Sequence, residues 1–421
     1  MTRPLLAEEE IQAVTDVLHS GWVTQGPQVA QFEADFADYV GAPYACAVSN
    51  CTTALHLALL AVGVQPGDEV ITVSHSFIAT ANCIRYCGAT PVFVDIQPGT
   101  FNLDPQRIEA VITKKTRAIL GVHQMGMPFD LAAVITIAHR HGLPVIEDAA
   151  CAIGSELLWN GRWDKIGRPH GDIACFSFHP RKVITTGDGG MITTTDPAWD
   201  KQFRLWRQHG MSVPDTVRHG AKEVVFESYP MLGFNYRMTD IQAAVGRAQL
   251  RRLPEIITRR RALAERYVQL LGDLPGLALP EEPSWARSNW QSFCVRLPDG
   301  CDQRQVMQQM LDAGVATRRG IMNAHREPAY CHEPWSCGID ARDFTTRATE
   351  SRATESRATN NGHCHCQPDH CAQLCESERA QEEAIILPLF PQMTAEEQEM
   401  VAAALKTAIA TQLHSAKVLA Y

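Results

Sequence analysis

The stretch Asp172-Ile-Ala-Cys-Phe-Ser-Phe-His-Pro-Arg-Lys182-Val-Ile-Thr-Thr-Gly187-Asp-Gly-Gly190 contains an apolar run, a lysine and a cluster of glycines. The run Ile173–Ser177 has the length and composition of a buried strand, and Gly190–Thr194 has the same character. Proline and glycine between them are typical of a turn. The stretch therefore predicts two strands joined by a loop that carries Lys182.

Similar runs precede this stretch, and helical patterns fill most of the gaps between them. The seven predicted strands are Ala45–Ser49, Glu69–Val73, Thr90–Asp95, Ala118–Val122, Pro144–Glu147, Ile173–Ser177 and Gly190–Thr194. Apolar spacing predicts helices over Thr53–Gly63 and Leu131–His141. This alternation predicts an α/β fold with a mostly parallel seven-stranded sheet covered by helices.

One or two long helices are predicted from Ile241 to about Leu271. Beyond them the patterns predict a strand over Gln291–Leu297, a helix over Gln303–Ala313 and a terminal helix over Ala395–Ala410. We therefore expect a large domain over residues 1–250, followed over residues 251–421 by a bridging helix and a smaller α+β domain.

A low-complexity segment interrupts the small domain at about residues 345–376. Arg-Ala-Thr-Glu-Ser begins at Arg347, again at Arg352 and partly at Arg357, and a run rich in cysteine and histidine follows. Such side chains bind zinc, but this run lacks the two separated ligand pairs of most structural zinc sites. We predict an insertion and assign no metal, with a zinc site as the alternative.

Composition limits the class of protein. Of 421 residues 45% are hydrophobic and 20% charged, the formal net charge is −9, and no apolar run is long enough for a membrane span. These values argue against a membrane protein and a general nucleic-acid surface. Single cysteines in apolar runs and the lack of a secretory leader predict a cytoplasmic protein. The basic run from Arg251 to Arg261 is interpreted as a solvated helix face.

Lys182 is the first candidate for chemistry. A lysine that forms a Schiff base must become a neutral amine, which requires a partly desolvated position near other polar groups. The end of a buried strand provides such a position. The glycines let the backbone approach a flat cofactor, and the Ser177 hydroxyl is available to a phosphate group.

A second candidate is the carboxylate at the end of Leu143-Pro-Val-Ile-Glu-Asp148. Pyridoxal phosphate withdraws electrons only while its ring nitrogen stays protonated, and a buried aspartate maintains that proton. Asp148 is the candidate for this role, although a helix N-cap is an alternative. Strand alternation directs Glu147 and Asp148 to opposite faces, so spacing alone leaves the choice between them open.

Two further segments follow predicted strands. Thr52 and Thr53 stand where a strand turns into a helix, and the helix N-terminus with its hydroxyls favours a phosphate group. Phe77 follows the next strand and is a candidate for stacking on a pyridine ring, with core packing as the alternative.

Together these segments resemble the DegT/DnrJ/EryC1/StrS family of pyridoxal-phosphate-dependent nucleotide-sugar aminotransferases, from about Gly21 to the C-terminus. The matching motifs are Gly21-Trp22-Val-Thr-Gln-Gly26 with Phe32-Glu33, Asn50-Cys51-Thr52-Thr53-Ala54-Leu55, Glu147-Asp148-Ala149-Ala150, Ser177-Phe178-His-Pro-Arg-Lys182 with Gly187-Asp188-Gly189-Gly190, Gly233-Phe-Asn235-Tyr-Arg237-Met238 and Leu387-Pro-Leu-Phe-Pro391. The resemblance implies the fold type I architecture and favours Asp148 over Glu147 as partner of the ring nitrogen.

The resemblance also implies a homodimer with shared active sites, in which Asn235 reaches the cofactor phosphate of the partner. It implies that Phe77 stacks on the ring and that residue 151 lies beside it. This chain has Cys151 where the family commonly has histidine or glutamine, and Cys51 where glycine is usual. The implied reaction moves an amino group from L-glutamate to a nucleotide-linked keto-deoxy sugar, with Lys182 as the proton-transferring base.

Three alternatives to this reaction remain. Some family members aminate carbocyclic or cyclitol ketones, and the motifs do not separate them from sugar enzymes. Others are sugar dehydratases with a histidine at the position of Lys182, so the lysine favours transamination. A noncatalytic regulatory protein of the same fold is disfavoured because Lys182 and Asp148 are both present.

Overall fold

A computed structural model describes residues 4–213, 217–218, 221–338 and 370–419 of the chain, with side chains to residue 414. Its helices are α1 (Glu8–Ser20), α2 (Pro27–Val40), α3 (Cys51–Ala61), α4 (Ala79–Tyr86), α5 (Leu131–His141), α6 (Pro197–Trp206), α7 (Asp240–Leu271), α8 (Gln303–Asp312), α9 (Cys375–Glu383) and α10 (Ala395–Leu419). Its strands are β1 (Tyr44–Val48), β2 (Glu69–Val73), β3 (Thr90–Val94), β4 (Thr116–Val122), β5 (Val145–Asp148), β6 (Glu156–Trp159), β7 (Arg162–Lys165), β8 (Ile173–Ser177), β9 (Gly190–Thr194), β10 (Ala286–Arg287), β11 (Phe293–Arg296), β12 (Arg318–Arg319) and β13 (Ala384–Leu387).

The seven strands predicted for the large sheet form one sheet, in the order β1-β9-β8-β5-β4-β2-β3. Strands β8, β5, β4, β2 and β3 run parallel, and β9 is antiparallel to both of its neighbours, β1 and β8. The prediction of an α/β fold with a mostly parallel sheet is confirmed. Because parallel strands end at the same edge, the loops after β5 and β8 are neighbours.

Helices cover both faces of this sheet, as the continuous apolar strands require. On one side α2 packs Phe32 and Phe36 against Phe176 and Phe178. On the other side α3 is buried on nearly every side because it is apolar around most of its circumference. Its N-terminus thereby meets the start of β9 at the same edge as the loop of Lys182.

The C-terminal part of the described chain has its own small sheet, in the antiparallel order β11-β13-β12. It shares a hydrophobic cluster with α8, α10 and the second half of α7, including Tyr267, Phe293 and Leu405. The 32-residue helix α7 is continuous and contains Pro254. The domain limits at residues 1–250 and 251–421 remain a prediction.

Most of the predicted insertion, residues 345–369, lies outside the described residues. From residue 370 the chain is packed: Cys371 and Leu374 are buried against Phe93. Helix α9 begins directly afterwards, with the carboxylate of Asp95 accepting the backbone N–H of Glu376 at 2.9 Å. The C-terminal end of the predicted insertion is therefore anchored to the edge of the large sheet.

The interpretation of the arginine-rich part of α7 as a solvated face holds for Arg251 and Arg259, which are exposed, and is wrong for Arg260. Arg260 is 2% exposed, and its guanidinium donates to the carbonyls of Trp290, Gln291 and Leu389. Arg260 therefore ties α7 to the C-terminal segments. Across the described ranges, no helix has the length and apolar character needed to cross a membrane.

Candidate active site

The side chains of Lys182, Asp148 and Cys151 meet at the edge of the sheet where β5 and β8 end. The Lys182 Nζ donates to the Cys151 Sγ at 3.0 Å. Asp148 pairs across the two strands with Cys175, and its side chain contacts α4. Two segments separated in sequence thus bring the predicted lysine and aspartate to one location.

Glu147 lies on the opposite face of the sheet from this location. Its carboxylate accepts the Nε2–H of His123 at 2.9 Å and the Gly171 amide at 3.2 Å. The His123 ring must carry its proton on Nε2, because Nδ1 accepts the N–H of Phe129 at 3.2 Å. Glu147 is therefore satisfied within the core.

Asp148 is also buried but is satisfied differently. Its Oδ2 accepts the Thr80 hydroxyl at 2.8 Å and its Oδ1 accepts the Ala150 amide at 3.2 Å. Among the described residues it forms no ion pair within 4 Å, although the charge of Lys182 acts on it. Burial raises the pKa of Asp148, and the Thr80 and Ala150 hydrogen bonds only partly oppose this effect.

A buried carboxylate without an ion-pair partner suits a cationic ligand, because a matched positive charge recovers the free energy lost on desolvation. A protonated pyridine nitrogen is such a cation. Lys182 on the same side supplies the amine that a cofactor aldehyde requires. The residues present therefore fit pyridoxal phosphate, with Asp148 at the ring nitrogen and Lys182 at the aldehyde carbon.

Thr80 was missed by the sequence interpretation, although it lies in the Phe77 segment. It belongs to α4, and its hydroxyl also contacts the Ser76 hydroxyl at 2.8 Å. A threonine in an amphipathic helix carries no signal that it contacts a carboxylate 68 residues away. The one usable hint is the unusual number of hydroxyls between Ser74 and Thr80.

The predicted phosphate turn forms the start of α3. Asn50 is the N-cap, and its Oδ1 accepts the Thr53 amide at 2.9 Å. The Thr53 hydroxyl donates to the Asn50 carbonyl at 2.7 Å, while Thr52 is half-buried beside it. Thr53 could bind a phosphate only by giving up its hydrogen bonds with Asn50. Thr52 takes no part in these capping hydrogen bonds.

A glycine and a serine shape the same end of the sheet. A Cβ on Gly190 would lie 2.5 Å from the carbonyl carbon of Asn50, so β9 approaches the start of α3 more closely than any other residue allows. Ser177, at the end of β8, is buried, and its Oγ accepts the His179 amide at 3.4 Å. The turn, Ser177 and the lysine loop therefore surround one polar end of the sheet.

Phe77 and Asn235 lie at the surface of the chain. The Phe77 side chain is 60% exposed, although its backbone carbonyl accepts the Thr80 amide. Asn235 is exposed, and its backbone forms an isolated bridge with Gln208. Their proposed contacts with ring and phosphate remain predictions, and within the described residues Asn235 forms no hydrogen bond with the other site residues.

The segment before β11 closes on the site and was also missed. The Asn289 Nδ2 donates to the Cys151 carbonyl at 2.8 Å, and the Gln291 Nε2 donates to the Arg181 carbonyl at 3.0 Å. Gly126 has φ +94°, and a Cβ there would overlap the Asn289 Oδ1. The side-chain amides of Asn289 and Gln291 thus connect this segment to the loops that carry Cys151 and Arg181. The partners are more than 100 residues apart, so no local pattern could have predicted the contacts.

The charge around Lys182 is set by several groups. Burial lowers the pKa of Lys182, but the sulfur of Cys151, then Cys51 and Asp148, act in the opposite direction, so the net pKa lies above its usual value. Arg318 of β12 is exposed, and its charge acts on Cys151. Although the residue is exposed overall, partial desolvation of the Arg318 guanidinium lowers its pKa, and the charge of Arg181 adds to this effect.

Comparison with known proteins identifies this arrangement. The profile of the DegT/DnrJ/EryC1/StrS aminotransferase family matches residues 4–350. GDP-perosamine synthase of Caulobacter vibrioides is 41% identical over 356 residues, covering 82% of this chain and 92% of that protein. The relative is therefore similar over almost its whole length.

Solved structures agree. The aminotransferase TlmJ from Streptoalloteichus hindustanus superposes with a TM-score of 0.80 at 32% identity, covering 97% of this chain and 98% of that one. The sugar aminotransferase Spr1654 from Streptococcus pneumoniae has been solved in a pyridoxal-phosphate form, with a TM-score of 0.81 at 25% identity and 98% coverage of both chains. With this fold, this lysine and this aspartate, the chain belongs to the DegT/DnrJ/EryC1/StrS aminotransferase family and is a pyridoxal-phosphate-dependent transaminase of fold type I.

Proposed function

We propose that this transaminase moves an amino group from L-glutamate to the ketone of a nucleotide-linked keto-deoxy sugar, in amino-sugar biosynthesis in the cytoplasm. The main support is the 41% identity to a relative whose name specifies a GDP-linked sugar. The position of Lys182 near a buried Asp148 that forms no ion pair with any described residue supports the chemistry.

Bound pyridoxal phosphate supplies the electron sink that allows a proton to leave the carbon carrying the amino group. Asp148 would keep the ring nitrogen protonated, and Thr80 would hold the carboxylate through its 2.8 Å hydrogen bond. Lys182 would bind the aldehyde carbon through Nζ. When released, the same Nζ would carry the proton between the substrate carbon and C4′ of the cofactor.

Phosphate binding is assigned to the polar end of the sheet. Thr52, Thr53 and Ser177 would hold the cofactor phosphate at the N-terminus of α3, where the helix dipole favours an anion. Asn235 would complete this site from the partner subunit, and Phe77 and Cys151 would lie beside the ring.

We further propose a homodimer with shared active sites. Several apolar side chains of the segment before α7 are exposed, among them Phe226 and Leu232, each at 88%. Monomeric proteins rarely expose such a group of large apolar side chains without an interaction partner. Asn235 follows this segment closely and is also exposed, which supports a second copy of the chain as the partner.

The exposed Arg318 supports an anionic substrate. It forms no ion pair with any described carboxylate, and it lies close enough to Cys151 to interact electrostatically. A guanidinium matches a carboxylate or phosphate in a bidentate manner. It would receive an acidic group of the amino donor or of the nucleotide.

The test is a product assay with purified protein, pyridoxal phosphate, L-glutamate and a panel of ketones. The panel pairs each keto-deoxy sugar with and without its nucleoside diphosphate and includes cyclitol ketones, and mass spectrometry detects the amine. We expect amination only of nucleotide-linked sugars and none with Lys182→Ala. Amination of a cyclitol or of the free sugar at equal efficiency would contradict the substrate assignment.

The cofactor role of Lys182 is tested separately by absorption. The wild-type protein should show the visible band of lysine-bound pyridoxal phosphate, and Lys182→Ala should lose it while keeping the melting temperature of the apoprotein. A variant that retains the band would overturn the assignment of Lys182 whatever the substrate is.

A further inference from the structure

The side chains of Lys182 and Cys151 are in direct contact. Among the described residues, the Lys182 Nζ has one hydrogen-bond partner, the Cys151 Sγ at 3.0 Å. Cys151 is itself fixed, because its carbonyl accepts the Asn289 Nδ2 at 2.8 Å. The backbone that carries the thiol is therefore held beside the lysine loop by a segment of the C-terminal part of the chain.

A thiol in hydrogen-bond contact with an amine can exchange its proton with it, because sulfur carries the negative charge of a thiolate. Amine with thiol and ammonium with thiolate are thus two states of the same contact.

Other ionisable groups face this pair from each neighbouring element. Asp148 at the end of β5 and Cys51 at the start of α3 act on Lys182. His179, in the same loop as Lys182, senses the lysine charge, and Arg318 of β12 acts on Cys151. The Asp148 carboxyl group lies on the lysine side and the Arg318 guanidinium on the sulfur side, so the surroundings accommodate the ion-pair state.

We propose that Cys151 is a positioning residue that holds the Lys182 Nζ and exchanges a proton with it. In this exchange a proton moves from the Nζ ammonium to the Sγ thiolate, leaving a neutral amine and a thiol, and no other bond changes. The neutral amine is the form that accepts a proton from the substrate carbon. This inference rests on the proposed role of Lys182 in proton transfer.

The first test needs neither cofactor nor substrate. Apoprotein is alkylated with iodoacetamide across a pH series, and mass spectrometry follows the Cys151 and Cys301 peptides. Both cysteines are partly accessible, so Cys301 is a matched internal control. Since a neighbouring ammonium favours the thiolate, Lys182→Met should move the alkylation midpoint of Cys151 upward by about one pH unit and leave that of Cys301 unchanged. An unchanged Cys151 midpoint would overturn the proposal.

The second test follows the half-reaction with the amino donor. Cys151→Ser keeps a hydrogen-bonding group but cannot ionise in the working range, so the rising limb of the half-reaction rate constant at saturating donor, when the Lys182 amine is free, should move to lower pH by about one unit. Cys151→Ala should in addition lower kcat, and Cys301→Ser should match wild type. Equal absorbance of the bound cofactor in wild type and variants shows that all are loaded with cofactor to the same extent. Superimposable pH profiles would overturn proton exchange even if the sugar substrate were wrongly assigned, because no sugar is present.

Discussion

The two faces of the large sheet at the end of β5 carry carboxylates of similar burial but different surroundings. Glu147 is matched inside the protein by the His123 ring and the Gly171 amide. Asp148 has a hydroxyl and an amide but no ion pair among the described residues, and burial raises its pKa. Both side chains are buried, so burial does not distinguish them. We expect a ligand on the face of Asp148, where the described residues leave the carboxyl group without an ion-pair partner.

The largest effect is expected from Asp148→Asn. The amide preserves shape and the Thr80 contact but cannot hold a proton on the ring nitrogen, so kcat should fall by roughly 10³-fold. The stability of the apoprotein should not fall, because a buried unpaired charge is removed. Steady-state kinetics and thermal melting measure the two quantities. A fully active variant would show that Asp148 is not the partner of the ring nitrogen.

On the other face, Glu147→Gln should reduce stability and leave kcat largely unchanged. One Gln oxygen can still accept the His123 proton, but the amide NH₂ cannot accept the Gly171 N–H, and an unsatisfied buried donor costs about 1–3 kcal/mol. Denaturant unfolding measures this loss. If kcat instead fell as far as in Asp148→Asn, the distinction between the two faces would fail.

Thr80→Val should have an intermediate effect on rate. Removing the hydroxyl leaves Asp148 without one of its two hydrogen bonds, and a hydrogen bond to a charged group contributes about 1.5–3 kcal/mol, which corresponds to a loss of roughly tenfold or more in kcat. Thr80→Ser restores the hydroxyl and is the matched control. Equal kcat in the valine and serine variants would exclude a positioning role for this hydroxyl.

The smallest expected effect is a difference between wild type and Asp148→Asn in how stability depends on pH. Because the pKa of Asp148 is raised on folding, its folded state binds a proton more tightly than the unfolded chain. Its contribution to stability is therefore present below the unfolded pKa near 4 and is lost as pH rises through the folded pKa. The loss amounts to about 1.4 kcal/mol for each pH unit that separates the folded and unfolded pKa values.

Wild-type apoprotein should accordingly lose stability relative to Asp148→Asn as pH rises through this window. Both proteins contain the carboxylates whose pKa values are lowered, such as Glu33 and Glu378, so their contribution cancels in the difference between the two unfolding free energies. Urea unfolding at several pH values measures it. If the difference in unfolding free energy between the two proteins stayed constant from about pH 4 to 7, Asp148 would not be desolvated in the apoprotein.

Local patterns were sufficient for the large sheet and for several of the helices. The seven strands of the large sheet and the helix Leu131–His141 were predicted from short apolar runs, since these depend on neighbouring residues. The antiparallel direction of β9 was not specified, because direction depends on how a connection crosses the sheet. Arg260 was misinterpreted because its carbonyl partners, at Trp290 and Leu389, lie far away in sequence.

Sequence patterns likewise predicted some residues of the candidate site and missed others. Lys182 and Asp148 could be predicted as neighbours because Asp148 ends β5, Lys182 follows β8, and the two strands end at the same edge. Spacing could not choose between Asp148 and Glu147, and the contact partners in the folded chain make the difference visible. Thr80, Asn289 and Gln291 were missed because polar residues on helices or loops carry no signal of a partner that is distant in sequence.

The start of α7 has a consequence for the order of folding. Asp240 accepts the amides of Gly26, Gln28 and Val29 at 2.8, 3.0 and 2.9 Å, and thereby caps α2. These bonds span more than 200 residues, and such contacts form slowly because a long loop must close first. During synthesis the N-terminal helices therefore emerge long before their cap, with Phe32 and Phe36 still awaiting the strand that carries Phe176. A chaperone that shields α1 and α2 until the ribosome passes Asp240 would protect the chain when aggregation is most favourable.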